Sequence, residues 1–276
     1  MSSTSAWAKG VRYDAGAVHL SYIYTVSRFV FDYERYVGAL RQAQDSRVPD
    51  WLARPVVGSL ARWDVRAAQR PTAFVAISHI VAERVRRYYG REASVLHPPV
   101  DIERFTPSGS YGDYFFIASR LLPYKRIELA IDAANEAGVP LVVAGTGPSE
   151  AALRARAQGT TTTMLGYVDD VEVARLLARA RAAILPGEED FGLVPVEAAA
   201  AGRPAIAYRG GGALETIVAG RTGEFFEEAT PASLAQVLRA FDPARYDPKI
   251  LRAHATAFAP EPFVAAFRER VAALLR

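Results

Sequence analysis

The chain has 276 residues, half of them hydrophobic, which is enough for one large core or two modest ones. Its 33 Lys and Arg against 30 Asp and Glu give a net charge of +3, a mild, interspersed excess unlike the clustered basic stripe of a nucleic-acid-binding protein. The chain has no cysteine, which excludes disulfides and thiolate chemistry and fits a reducing compartment. Because no run of about 18 apolar residues is present to span a bilayer, we expect a cytoplasmic α/β protein that binds no nucleic acid.

The first hundred residues predict a small set of strands and helices. Short apolar runs predict strands at residues 19–25, 73–78 and 94–97. Helical spacing of apolar residues predicts helices at residues 28–42, 63–69 and 79–90. This part of the chain is therefore expected to form an α/β domain.

Two features of this part leave alternatives open. Aromatic side chains crowd its opening and suit a core, an interface or an acceptor platform: Tyr22, Tyr24, Phe29, Phe31, Tyr33 and Tyr36. Arginines line the predicted helix at 79–90 and the residue after its end: Arg84, Arg86, Arg87 and Arg91. Such a basic helix is either a solvated face or a peripheral contact with the inner face of an anionic membrane.

A segment rich in Pro, Ser and Gly at residues 97–110 predicts a hinge, because proline pairs disfavour helix. We therefore expect an N-terminal domain at 1–107 and a second domain at 108–276. The last predicted helix, at 262–274, is expected to return toward the N-terminal part.

From residue 114 onward, apolar runs alternate with helical patterns. Strands are predicted at 114–118, 140–144, 162–165, 182–186 and 204–208. Helices are predicted at 127–137, 150–157, 171–180 and 196–201, with Ser149 and Asp170 as N-caps and Gly202 as a stop. This alternation indicates a parallel, Rossmann-like sheet, which binds ligands outside the carboxyl ends of its strands.

The segment 187–204 carries the strongest functional signal and follows the predicted strand at 182–186. Glu189 and Glu197 flank a turn, Phe191-Gly192-Leu193, at the predicted start of a helix. The free N–H groups and dipole of a helix start suit an anion. A phosphate held between two carboxylates that accept hydrogen bonds from hydroxyls indicates a nucleotide-sugar ligand.

Other residues follow neighbouring strands and converge on the same edge. Arg120 and Lys125 follow the strand at 114–118 and suit phosphate oxygens. Gly147 belongs to a lone G-x-G after the next strand, which is weak evidence for a dinucleotide because the third glycine is missing. Tyr167 and Val168 follow the third strand, where they either lie beside a base or pack on the surface. A glycine run at 210–212 forms either an anion-binding nest or a plain loop.

In this order the motifs resemble the family-four retaining glycosyltransferases of the GT-B architecture. The resemblance covers residues 92–276 and is carried by 118–125, 143–148, 165–170, 188–204 and 210–223. It implies a catalytic set of Glu189 at the transferred sugar with Arg120 and Lys125 on the diphosphate. It also implies a donor-binding set: Glu197 on the ribose hydroxyls, the Phe191-Gly192-Leu193 backbone, Gly147, Tyr167 and Val168.

The implied reaction is transfer of a hexose from a GDP- or UDP-linked donor to a glycan or lipid-linked acceptor, with retained anomeric configuration. Arg120, Lys125 and a helix start can neutralise the leaving diphosphate, and we expect no metal or other cofactor. A nicotinamide-dependent oxidoreductase is a poor alternative because the glycine fingerprint is incomplete.

The N-terminal part departs from the family pattern. Tyr24 stands where relatives often have a histidine, and Arg28 matches the arginine that follows, which makes both weak acceptor-side candidates. The first βα units of the family's N-terminal domain are missing, so we expect a truncated domain. The chain is then a compact transferase, a subunit completed by a partner chain or a second copy, or a nucleotide-sugar-binding protein without turnover.

Overall fold

The computed structural model describes residues 2–3, 7–14, 16–33 and 50–276. The chain divides into two compact units, Met1–Pro98 with Glu261–Arg276, and Pro99–Pro260. The division falls within the proline-rich segment 97–110. Most of the helix predicted at 28–42, with Tyr36, lies outside the described residues.

The first unit contains a four-stranded parallel sheet. Its strands, in spatial as well as chain order, are β1 (Ser2–Ser3), β2 (Leu20–Ile23), β3 (Ala73–Ala76) and β4 (Ala93–Val95). The described helices before residue 98 are α1 (Arg28–Phe31), α2 (Asp50–Ala67) and α3 (His79–Tyr89), with a 3-10 turn at Trp7–Gly10. The predicted strands are present but shorter, whereas α2 begins 13 residues before the helix predicted at 63–69.

A buried ion pair lies in the first unit. The Lys9 ammonium contacts the Asp64 carboxylate, and both side chains are almost fully buried. The Tyr89 hydroxyl donates to Asp64 Oδ2 at 2.7 Å. Burial lowers the pKa of Lys9, while the hydrogen bond and charge of Asp64 raise it. These contacts tie the turn at 7–10 to helices α2 and α3.

The C-terminal helix of the chain, Pro260–Leu274, packs within the first unit. The Tyr22 ring of β2 makes edge contacts with Phe263 and Phe267, at centroid distances of 5.6 and 6.3 Å. Arg270 donates to the Val95 carbonyl at 3.0 Å. Tyr22 is therefore a core residue. Of the alternatives for the aromatic cluster, core packing is the one that holds at this position.

The second unit contains six parallel strands. They are β5 (Phe115–Ala118), β6 (Leu141–Ala144), β7 (Thr162–Gly166), β8 (Ala183–Leu185), β9 (Ala205–Tyr208) and β10 (Gly223–Phe226). Their spatial order is β10-β9-β8-β5-β6-β7. Strands β6 and β7 are therefore added on one side of β5, and the chain then crosses back to add β8, β9 and β10 on the other side. This doubly wound order confirms the Rossmann-like prediction and places the topological switch point between β5 and β8.

Helices connect these strands. Those between consecutive strands are α4 (Ile127–Ala137), α5 (Glu150–Ala157), α6 (Asp170–Arg179), α7 (Leu193–Ala200) and α8 (Ala213–Thr216). Helices α9 (Pro231–Ala240) and α10 (Pro248–Ala255) follow β10, and the C-terminal helix of the first unit, Pro260–Leu274, is α11. Strand β10 and helices α8, α9 and α10 were not among the predicted elements. The described part of the chain has no helix of the length and apolar content that a bilayer crossing requires.

Helix ends in the second unit follow local capping chemistry. The Asp169 side chain accepts a hydrogen bond from the Glu172 N–H at 2.8 Å, so the prediction of Asp170 as the N-cap of α6 is wrong by one residue. Asp170 is the first helical residue, and its side chain pairs elsewhere. Ser149 holds the N-cap position of α5 without a side-chain cap bond. Gly202, at φ +70°, follows the end of α7 as predicted.

Candidate functional site

The loops at the switch point bring two predicted residues into contact. Lys125 lies in the loop after β5, and Glu189 lies 64 residues later in the loop after β8. The Lys125 ammonium forms a hydrogen-bonded ion pair with Glu189 Oε1, and each side chain is about one-fifth exposed. The pair is mostly buried but keeps some exposure to solvent, so a ligand at the carboxyl ends of the strands can still contact it.

Arg120 stands exposed at the same end of β5. Within the described part of the chain, its guanidinium has no hydrogen-bond or ion-pair partner. A second cation beside Lys125 that is not consumed by a carboxylate is the arrangement that an anionic ligand requires. Among the cations of the described loop after β5, Lys125 pairs with a carboxylate, Arg126 donates to the Ala229 carbonyl at 3.2 Å, and Arg120 has no partner.

Close backbone approach explains two glycines of the motifs. A Cβ on Gly147, in the loop after β6, would lie 2.5 Å from the Leu121 carbonyl oxygen. A Cβ on Gly212, after β9, would lie 2.3 Å from the Phe191 Cα. These positions require glycine because two loops meet there backbone to backbone. The two glycines therefore allow neighbouring loops to pack closely against the loops that carry Arg120 and Glu189.

Helix α7 begins at the switch point, directly after the loop of Glu189. Gly192 is its N-cap and brings no side chain to the first N–H groups, so the start of α7 keeps the donors and dipole that favour an anion. Pro195 occupies the first turn, where a missing N–H costs no intrahelical bond. The Phe191 ring is buried and packs on Phe258 at 5.8 Å, whereas Leu193 is half-exposed.

Glu197 lies on α7 in an ion-pair cluster that the sequence did not reveal. Arg104 Nη2 contacts Glu197 Oε1 at 3.4 Å, and Arg104 Nη1 contacts Asp170 Oδ2 at 3.0 Å. Burial raises the pKa of the Glu197 carboxyl above its ordinary value; the Arg104 charge opposes this and the Asp170 charge adds to it. Arg104 was missed because it lies in the segment interpreted only as a hinge. Its distance along the chain from Glu197, 93 residues, leaves no periodic signal.

The remaining predicted residues occupy two places. Tyr167 and Val168 follow β7, and Tyr167 is 79% exposed, so its ring is free to meet a ligand or solvent. Tyr24 and Arg28 belong to the first unit: Tyr24 is 45% exposed and packs edge-on against Tyr22 at 5.4 Å, and Arg28 opens α1. The predicted donor-side residues therefore all lie in the second unit, and the acceptor-side residues lie in the first.

Solved structures of other proteins share the fold of this chain. Anabaena HepE, crystallised with UDP and glucose, matches with a TM-score of 0.69 at 20% identity, over 92% of this chain and 77% of HepE. Sucrose-phosphate synthase from Thermosynechococcus elongatus matches with a TM-score of 0.69 at 20% identity, over 92% of this chain and 68% of the synthase. The chain has the fold of the GT-B class of glycosyltransferases.

Sequence similarity identifies the family. Residues 103–242, about half of the chain, match the family of glycosyl transferases group 1, and the chain belongs to that family. The matched range contains Arg104, Arg120, Lys125, Glu189 and Glu197, whereas the first unit lies outside it.

Curated relatives are longer than this chain. D-inositol 3-phosphate glycosyltransferase from Streptomyces avermitilis is 30% identical over 216 residues, which cover 65% of this chain and 46% of the relative. Glycogen synthase from Mycobacterium tuberculosis is 39% identical over 114 residues, 39% of this chain and 28% of the synthase. The matches span less than half the length of these two relatives.

Proposed function

We propose that the protein is a retaining, family-four glycosyltransferase that moves a hexose from a GDP- or UDP-linked sugar to a glycan or lipid-linked acceptor. The observation that carries the proposal is the ion pair of Lys125 and Glu189 at the switch point between β5 and β8. Doubly wound sheets bind their ligands at that point. The complexes of HepE with UDP and glucose support a nucleotide-sugar as the ligand.

The donor diphosphate is the most demanding part of the substrate, because its negative charge increases as the sugar leaves. Arg120 forks onto its oxygens, and Lys125 adds a point charge. The N–H groups at the start of α7, next to Leu193, add fixed partial charges. These groups stabilise the leaving nucleoside diphosphate, which is the largest electrostatic requirement of the reaction.

The two glutamates bind different parts of the donor, the sugar and the nucleoside. Glu189 contacts the transferred hexose and is oriented by Lys125, while the Glu197 carboxylate accepts hydrogen bonds from the ribose hydroxyls. Tyr167 and Val168 flank the base, and the Gly147 loop closes against the loop of Arg120. Tyr24 and Arg28 are our candidates for the acceptor side.

A second function is favoured by the size of the first sheet. In the part of the chain that the structure describes, its edge strand β1 has two residues, which pair with Ser21 and Tyr22 of β2 and have no strand on their other side. An open parallel edge invites pairing with another chain. The alternative is thus a nucleotide-sugar-binding subunit, whose acceptor side is completed by a partner chain or by a second copy. Peripheral contact of the basic helix α3 with the inner face of a membrane is compatible with both functions.

The test is an incubation of the purified protein with UDP-glucose, GDP-mannose and ADP-glucose, with and without glycan acceptors. Release of nucleoside diphosphate and transfer of sugar are measured by chromatography, and the anomeric configuration of the product by NMR. We expect Glu189→Gln to lose activity by orders of magnitude. Glu136→Gln, which removes a carboxylate from an exposed ion pair with Arg239, serves as the matched control.

The outcomes separate the two functions. Turnover with retained configuration supports the transferase, and inverted configuration overturns the retaining mechanism. If the protein binds nucleotide without turnover, and turnover appears when a second chain is added, the nucleotide-sugar-binding subunit is supported. Absence of both binding and turnover with all three donors overturns both.

A further inference from the structure

Arg104 joins two segments of the second unit that the donor would contact. Its guanidinium lies between Asp170, at the start of α6, and Glu197, on α7, at 3.0 and 3.4 Å. One face of the guanidinium packs on the Phe105 ring at 4.8 Å from the centroid. The side chain is therefore held by three neighbours although it is one-third exposed.

The backbone that carries Arg104 is also fixed. Arg104 ends a 3-10 turn, Ile102–Arg104. Arg252 of α10 donates to the carbonyls of Ile102 and Ala200, at 2.8 and 2.9 Å, and to the carbonyl of Phe105. One guanidinium thus ties the turn to the last residue of α7. The distance between Arg104 and Glu197 is set by the fold rather than by a mobile loop.

Few charged groups act on the Glu197 carboxylate. Its side chain is only 21% exposed, and burial disfavours the ionised form. The groups that shift its pKa are Arg104, which favours ionisation, and Asp170, which opposes it. Arg104 is the cation that holds the charge of Glu197.

Within the described residues, the elements packed against α7 supply no other cation to this carboxylate. Strands β8 and β9 have no charged side chain. The turn Ile102–Arg104 also has Glu103, which pairs with Arg252 at 2.9 Å. Helix α8 has Glu215, and α10 has Lys249, Arg252 and His254; none of these groups is among those that shift the pKa of Glu197. Among the described groups, Arg104 is thus the cation that favours the ionised form of Glu197.

We infer that Arg104 is a positioning residue that holds the Glu197 carboxylate oriented and ionised to accept hydrogen bonds from the ribose hydroxyls of the donor. The inference rests on the proposed function, because it assigns Glu197 to the ribose. An ionised carboxylate offers two acceptor oxygens, whereas a protonated one turns an acceptor into a donor. Loss of Arg104 would weaken recognition of a vicinal diol and would do so more strongly at low pH.

The experiment measures affinity by calorimetry in the full chain. The probe is the tightest-binding of UDP-glucose, GDP-mannose and ADP-glucose, chosen because a sugar diphosphate lacks the phosphate monoester that titrates near pH 6. The variants are Arg104→Gln and Arg104→Lys, with Arg156→Gln as control for an exposed arginine that pairs with Asp132. Thermal unfolding establishes that each variant is folded.

We expect Arg104→Gln to weaken binding about tenfold at pH 7.5 and progressively more toward pH 5.5. Arg104→Lys should restore the pH profile but not the full affinity, because an ammonium keeps the charge and lacks the fork. Ribose recognition gives an independent readout. The 2′-deoxy forms of the matching nucleoside diphosphate should bind the wild type more weakly than the ribo form, and Arg104→Gln should discriminate less between them.

The inference is overturned if Arg104→Gln keeps the wild-type pH profile, or if it loses affinity uniformly while still discriminating ribose from deoxyribose. A wild-type protein that binds none of the three probes refutes the proposed function instead. The two failures are thus distinguishable.

Discussion

Replacement of Gly147 by alanine tests whether this glycine serves loop packing. The new Cβ would lie 2.5, 2.8 and 2.9 Å from the carbonyl O, the N and the carbonyl C of Leu121. Ordinary contact begins at 3.4 Å, so the two backbones must separate by about 0.9 Å. That movement strains two hydrogen bonds, from the Leu121 N–H to the Thr146 carbonyl at 2.9 Å and from the Ser149 N–H to the Leu121 carbonyl at 3.0 Å.

The cost of this substitution follows from three contributions. Overpacking costs about 1–3 kcal/mol, and two weakened hydrogen bonds cost about 1 kcal/mol each. The reduced freedom of the unfolded chain returns about 0.4–1 kcal/mol. We expect a net loss of about 2–4.6 kcal/mol, which lowers the Tm of the second unit by roughly 4–18 °C.

Differential scanning calorimetry of Gly147→Ala beside Gly109→Ala measures this effect. Gly109 belongs to the same unit, and a Cβ there would meet nothing within 4 Å, so its replacement should leave the Tm unchanged or slightly raised. Equal Tm values for the two variants would refute the packing role of Gly147.

Three further predictions concern a buried charge, helix caps and pH. Lys9→Met leaves the buried Asp64 carboxylate without its cation and should lower the free energy of unfolding of the first unit by about 3–5 kcal/mol. Adding Asp64→Asn should recover much of this loss. Urea unfolding measures both free energies, and additive losses would contradict the pairing. Asp169→Ala removes a cap bond and should cost about 1 kcal/mol, whereas Ser149→Ala should cost little because its side chain makes no cap bond; Tm values in the reverse order would contradict this assignment. Burial raises the pKa of Glu197 above its ordinary value. Affinity for UDP-glucose or GDP-mannose should therefore be full at high pH and fall with acidification at a higher pH than an ordinary glutamate would cause; an affinity that is constant between pH 8 and 5 would contradict this.

The regular elements near the site were predictable because local patterns determine them. Helix α4 occupies residues 127–137 as predicted, since its apolar residues fall on one buried face and Gly138 ends it in a left-handed conformation. Strand β10 was missed because it is an edge strand, with only two of its four residues buried. The cap of α6 was misassigned because Asp169 and Asp170 are adjacent, and only geometry shows which one accepts the Glu172 N–H.

The candidate site was predictable where residues follow strands in a parallel sheet. Lys125 and Glu189 could be placed at one edge from the strand pattern alone, although nothing in the sequence indicated that they pair. Arg104 could not be found in this way, because it reaches Glu197 from a turn outside the strand-and-loop order. The role of Gly147 was also hidden, since a glycine in a sequence does not reveal which backbone it faces.

The central claim is that the donor binds at the switch point between β5 and β8, with its diphosphate on Arg120 and Lys125 and its ribose on Glu197. The most direct measurement is a crystal structure of the protein with UDP, GDP or ADP, whichever gives the largest thermal shift. We predict the diphosphate between these two cations and the start of α7, and the ribose hydroxyls within hydrogen-bond distance of Glu197. A nucleotide bound elsewhere on the sheet, or no thermal shift with any of the three, would contradict the claim.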